Sequence, residues 1–241
     1  MRDVVAPERS FSSAIHAQRP LAEEGFSCGM RSIDTVDHNE IVRLYGPWIP
    51  RTVGDVVELF EGYTGRWWIA GGWAIEAFTG MSRPHGDIDP SIPRCDAHLL
   101  RAHLLDHLDI WAAHQGDLLP LANPGRPVPN TCSNLWLRAN GASPWEYDVI
   151  LMDATQAQWT YKRDPRVTLT FDRILWSKAG VHYLRPEIQL LHKATGLRPQ
   201  DQWDFDAARS SMSDEASAWL RGALETAHPG HPWIKELVRS R

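Results

Sequence analysis

At 241 residues the chain is long enough to bury a substantial core, in one domain or in two modest lobes. Hydrophobic residues make up 43% and charged residues 23% of it, and no apolar run approaches the roughly 18 residues that a membrane span requires, so a membrane protein is excluded. The net charge of −5 provides no global basic field for a nucleic-acid backbone; a cationic small molecule is the better-suited partner.

Residues 1–37 are rich in Ser, Ala, Glu, Arg and Pro without periodicity and read as an extension, expected to be partly mobile. They show no apolar stretch followed by a small-residue cleavage site, which points to a cytoplasmic protein. Cys28, Cys95 and Cys132 are odd in number and widely spaced, so free thiols are expected rather than disulfides or a zinc site. The twelve Trp are expected mainly in the core. "TVGDVVELFEGYTG" has a helical apolar face in Val56, Val57, Leu59 and Phe60, ended by Gly62 and Gly65. "WWIA", residues 67–70, reads as a strand stopped by Gly71 and Gly72, and "WAIEAF" resumes as a helix up to Gly80.

"DIDPSI", residues 87–92, reads as a second strand, with Pro90 suggesting an edge or an early end. A helix over "RCDAHLLRAHLLDHL" follows, with Ala97, Leu100, Leu104, Leu105 and Leu108 on one side. Strands are expected at 109–115, 133–140 and 145–153, then a hairpin around Gly180. Pro186 marks a helix start before "EIQLLHKATG", and further helical stretches fall near 201–211 and 214–225. The fold class is therefore α/β (α+β), with a mixed-sheet lobe over 38–180 and a helical lobe over 181–241.

In a strand, side chains two residues apart share a face, so Asp87 and Asp89 project together. Two adjacent carboxylates repel unless a cation neutralises them, and Mg²⁺ takes oxygen ligands of this kind while retaining substrate phosphates. Gly71 and Gly72, leading into a helix N-terminus, offer backbone N–H groups to an anion. A third carboxylate is expected from another strand. Asp148, inside "WEYDVILM", is the candidate, and Glu146 on the same face is the reserve. Arg83 and His85, just before the Asp87 strand, are candidates for touching phosphate or acceptor, and Asp201 and Asp204 are expected to cap a helix.

"GGWAIEAFTGMSRPHGDID" resembles the signature of the nucleotidyltransferase superfamily of the DNA polymerase β type, and most closely the aminoglycoside 2″-O-adenylyltransferase-like branch. "EYDVIL" and "YLRPEIQLLHKATGLRPQDQWDF" extend the resemblance. It implies Mg²⁺-dependent transfer of AMP from ATP to a hydroxyl of a small molecule, an aminoglycoside antibiotic leading, with release of pyrophosphate. It implies two Mg²⁺ ions, held by Asp87, Asp89 and Asp148, with Asp148 also placed to accept the hydroxyl proton. Gly71, Gly72, Arg83 and Lys193 are then the nucleotide-binding candidates, and Glu146 and His85 the candidates facing the acceptor. Two alternatives stay open: a toxin-like transferase that modifies tRNA or protein, and a homologue that binds nucleotide without turnover. Pro90 departs from the family's pattern, where a β-branched or apolar residue is usual, and puts the local strand geometry in doubt.

Overall fold

The computed structural model describes residues 38–238 apart from 115, 124 and 156. The expected N-terminal extension, and Cys28 with it, lies outside the described residues. The first helices are α1 (His38–Tyr45) and α2 (Val53–Leu59). Thr52 and Asp55 form a reciprocal capping box at the start of α2, each satisfying a donor that the first helical turn leaves without a partner.

Among the described residues ten strands follow in chain order: β1 (Trp68–Ile69), β2 (Pro90–Pro93), β3 (Asp109–His114), β4 (Asp117–Pro120), β5 (Asn134–Arg138), β6 (Tyr147–Met152), β7 (Gln158–Thr160), β8 (Thr168–Thr170), β9 (Leu175–Lys178) and β10 (Val181–Leu184). Eight of them form a mixed sheet in the order β4-β3-β5-β6-β2-β1-β10-β9, and β7 and β8 pair separately. Within the large sheet β2 runs parallel to β6 and β1 parallel to β10, while the remaining pairs are antiparallel. α3 (Gly71–Thr79) connects β1 to β2, and α4 (Ala97–His103) connects β2 to β3 after a short 3₁₀ turn. The last described residues form α5 (Pro186–Lys193), α6 (Pro199–Arg209), α7 (Asp214–Ala227) and α8 (Trp233–Val238).

The expected mixed sheet with a C-terminal helical part is present, and several boundaries differ from expectation. Pro90 sits in a central strand rather than at an edge. It stands at the first position of β2, where the missing N–H costs the ladder least. The helix expected to run through Leu108 ends at His103, which leaves Leu105 exposed. The lobe boundary expected at 180/181 falls inside the β9–β10 hairpin, whose second strand pairs with β1 through Ile69 and Tyr183. The helical part therefore begins at Pro186.

Two main apolar clusters lie on either side of the sheet. Val56, Phe60, Leu100, Leu104, Leu135, Val149 and Leu151 fill one, under α2 and α4. The other joins Trp68 and Met152 to Leu190, Leu191, Phe205, Leu220 and Trp233, so the helices share a core with the sheet. Trp68, Trp136, Trp145, Trp159 and Trp233 are all almost fully buried, which is the packing role expected for most of the tryptophans. Cys95 and Cys132 are both free. Among the described residues no helix is long and apolar enough to cross a membrane.

Candidate active site

The two glycines expected to form a turn before α3 are its first two residues. Gly71 holds φ +67, a left-handed value that costs an L-residue about 1–2 kcal/mol. Close approach explains the rest of the glycine requirement: a Cβ on Gly71 would collide with the carboxylate of Asp89, and one on Gly72 would collide with the guanidinium of Arg83. Ala70 donates its N–H to the Asp89 carbonyl at 2.9 Å, and the Trp73 indole donates to the Asp87 carbonyl at 3.1 Å. The segment carrying Asp87 and Asp89 is thereby laced to the start of α3. Both aspartates precede β2 instead of lying within it.

Asp148 reaches the same place through topology. β2 and β6 are parallel with Ser91 beside Ile150, and the same register carried two residues back, just ahead of β2, sets Asp89 beside Asp148 of β6. Asn134 of β5 donates its Nδ2 to Asp148 Oδ1 at 2.8 Å and orients that carboxylate. The carboxyl of Asp89 is pushed well above the usual carboxylate range, first by burial and then by the charges of Asp87 and Asp148, while Lys193 and Arg198 oppose the shift. Three carboxylates thus share one electrostatic neighbourhood at the N-terminus of α3. Among the described residues no group of three His, Cys, Asp or Glu side chains is drawn together tightly enough to hold a metal ion by itself.

The helical part contributes a chain of charges. Arg83 grips Asp204 through both Nε (2.9 Å) and Nη2 (3.0 Å), and Lys193 donates to the same carboxylate at 2.8 Å. Lys193 also donates to Asp201 at 3.2 Å, and Arg198 grips Asp201 through Nε at 2.9 Å and Nη2 at 3.2 Å. Asp201 caps α6 as expected, accepting the Arg198 N–H. Asp204 does not cap; it is fully buried beneath Arg83 and Lys193. Burial drives the Asp201 carboxyl upward, and the bonds from Arg198 and Lys193 outweigh it and hold it below the usual range. Gln189 of α5 is a further tie, its Oε1 accepting the Gly71 N–H at 2.8 Å.

The remaining candidates are engaged within the protein. His85 Nε2 bonds Glu76 Oε2 at 2.8 Å and its ring stacks on Trp73 at 4.5 Å. Glu146, placed on the Asp148 face by strand periodicity, bonds the Arg51 guanidinium and accepts the Ala139 N–H at 3.0 Å, and only 8% of it is exposed. Lys193, equally buried, is held between two aspartates. The structure thus brings Gly71, Gly72, Arg83, Asp87, Asp89, Asp148 and Lys193 to one region, and turns Glu146 toward Arg51. Sequence reasoning missed Arg198, Gln189 and Asn134. For Arg198 a signal exists, since an aspartate three residues on, at a helix start marked by Pro199, is positioned to orient it.

The architecture and this site define a mixed-sheet α/β protein whose carboxylates gather at a glycine-led helix N-terminus. The model of the aminoglycoside-2″-adenylyltransferase family matches residues 52–110, the segment from the α2 cap through Asp87 and Asp89 to β3, and bears out the resemblance read there from the sequence. Solved structures similar to the chain include a lincosamide antibiotic adenylyltransferase, LnuA, with lincomycin bound (19% identity, 66% of this chain and 96% of that one, TM-score 0.45). They also include the antibiotic-resistance factor ANT(2″)-Ia in solution (15%, 72% and 89%, 0.46), and ANT(2″)-Ia in complex with adenylyl-2″-tobramycin (12%, 71% and 94%, 0.44). No curated protein matches the chain.

Proposed function

We propose that the protein is a nucleotidyltransferase that moves AMP from ATP to a hydroxyl of a small antibiotic-type molecule, an aminoglycoside leading, and releases pyrophosphate. The observation that carries this reading is the convergence of Asp87, Asp89 and Asp148 on the N-terminus of α3, within the segment that matches the adenylyltransferase family. Helix N-termini favour anions and the carboxylates favour cations, and a magnesium–nucleotide complex presents both. Mg²⁺ is commonly held by one or two carboxylates plus substrate phosphates, which is the way an ion that arrives with the nucleotide is bound. Asp87 and Asp89, with Asp148, are the residues that would hold it. When bound it polarises the α-phosphoryl group and lowers the pKa of a coordinated hydroxyl.

The side chains of this site have distinct tasks. Asp148, oriented by Asn134, accepts the proton of the acceptor hydroxyl as its oxygen attacks the α-phosphorus. The bond from that phosphorus to the bridging oxygen breaks, and the electron pair leaves with pyrophosphate. The acidic neighbourhood draws a polycationic acceptor toward the attacking position. The test is pyrophosphate release from ATP and Mg²⁺ with aminoglycosides, lincosamides and tRNA as acceptors, on the native protein, Asp87→Asn and Asp89→Asn. Release that requires a small-molecule acceptor and falls at least about 100-fold in both variants is expected. Release with tRNA alone would transfer the reading to a macromolecular substrate, and retention of activity in Asp89→Asn would rule out the assigned site.

A further inference from the structure

From Met81 to Ile88 the chain lies outside helix and strand and, among the described residues, makes no backbone–backbone hydrogen bond. The segment that presents Asp87 is therefore tied to the rest of the fold through side chains. Met81 gives its N–H to the Thr79 hydroxyl at 3.2 Å, Arg83 grips Asp204, and the Trp73 indole donates to the Asp87 carbonyl at 3.1 Å. The fourth tie is Glu76 of α3. Its Oε2 accepts the Arg83 N–H at 3.3 Å and bonds His85 Nε2 at 2.8 Å. Gly72, Trp73 and Glu76, three and four residues apart, share one face of α3. The His85 ring fits onto that face: it stacks on Trp73 with 23° between the planes, and a Cβ on Gly72 would stand 2.8 Å from its Nδ1. Only 7% of the His85 side chain is exposed.

An ionised carboxylate only accepts hydrogen bonds, so His85 Nε2 is the donor, and both bonds end on the same oxygen of Glu76. One acceptor atom thus fixes the backbone at Arg83 and the ring at His85. That ring lies on the indole that holds the Asp87 carbonyl, which makes a continuous path of contacts from Glu76 to Asp87. We propose that Glu76 is a positioning residue for nucleotidyl transfer, holding the 81–88 segment so that Asp87 meets the incoming cation–nucleotide complex in a fixed place beside Asp89. The inference rests on the nucleotidyltransferase reading and deepens it. Glu76 acts through His85 and Trp73 and is not itself a ligand. A segment released from Glu76 would spend part of its time in positions from which Asp87 misses the cation, and the apparent affinity falls in proportion to that lost fraction.

The test compares the native protein, Glu76→Leu and Glu76→Gln by amide hydrogen exchange, read on the peptide spanning 81–89, and by calorimetric binding of Mg²⁺–ATP. Glu76→Leu removes the acceptor, and is expected to speed exchange in 81–89 while α3 and β2 keep native protection, and to weaken Mg²⁺–ATP binding about tenfold. Glu76→Gln keeps one oxygen able to accept both bonds, and is expected to restore both readouts to within about threefold of native. A merely structural role would loosen α3 as a whole in Glu76→Leu and leave Mg²⁺–ATP affinity native. Unchanged exchange in 81–89 overturns the proposal, as does a Glu76→Gln variant impaired as much as Glu76→Leu. Faster exchange in 81–89 with native Mg²⁺–ATP affinity also overturns it, while the transferase reading stands. Failure of the native protein to bind Mg²⁺–ATP overturns both.

Discussion

At the residue scale the site depends on positions that admit one side chain. Gly71 combines a positive φ with the approach of the Asp89 carboxylate, so Gly71→Ala is expected to cost at least about 2 kcal/mol in urea titration. Asp89→Gly in the same chain should recover part of that loss by removing the colliding carboxylate. A normal unfolding curve for Gly71→Ala alone would mean that the carboxylate does not sit against the turn. Asn134→Leu removes the amide that orients Asp148 and leaves the family-matched segment untouched. A fall in kcat of about tenfold or more with KM for ATP unchanged is the expected outcome, measured by pyrophosphate release. Asp87, Asp89, Gly71 and Gly72 were legible in the sequence because a local motif carries them. Asn134 was not, because its role exists only once β5 lies beside β6.

At the element scale the β9–β10 hairpin and helix α5 each carry a strain that can be measured. The hairpin turns through Ala179 at φ +50 and Gly180 at φ +80, the two positive values that a type I′ turn requires, and alanine is poorly suited to the first. Ala179→Asn is expected to stabilise the fold by about 0.5–1 kcal/mol in a denaturant titration, and an unchanged midpoint would contradict that turn geometry. In α5 the ring of His192 lies against Trp159 and Tyr161, and its Nε2 is buried without a hydrogen-bond partner. Burial, helped by the charges of Lys162 and Arg163, pulls its pKa down to about 3. Its neutral form is fully favoured in the fold above pH ~6.5, the value in the unfolded chain. As pH falls toward 3 the unfolded chain takes up a proton that the folded chain refuses, so stability is lost across that window. Between pH 7 and 5 the loss assigned to this residue is about 1–2 kcal/mol, and His192→Phe should abolish that part of the acid dependence. Matching slopes for the native and variant proteins would show that the ring is solvated.

At the scale of the whole molecule the helices and the sheet share a core, and a chain of ion pairs joins Arg83, just after α3, to α5 and α6. Lys193 is the centre of that junction. Lys193→Met leaves two buried aspartates without their shared cation and should cost roughly 3–5 kcal/mol, read as a lowered midpoint in chemical denaturation. A loss below 1 kcal/mol would show that Arg83 and Arg198 alone neutralise the pair.

The sequence by itself determined the order of the main elements, the glycine-led helix, the paired aspartates and the family resemblance over that segment. Each of these is written in neighbouring residues, through periodicity, turn chemistry and a short motif. Only the tertiary structure decided that Pro90 opens a central strand, that Asp148 lies beside Asp89, and that Glu146 is bound by Arg51. It also decided that Lys193 is buried between Asp201 and Asp204 while Arg198 grips Asp201 from the more exposed side. The physical reason is the same in each case: a charged side chain's role depends on its partners and on its burial, and both are set by which strands and helices come to lie side by side.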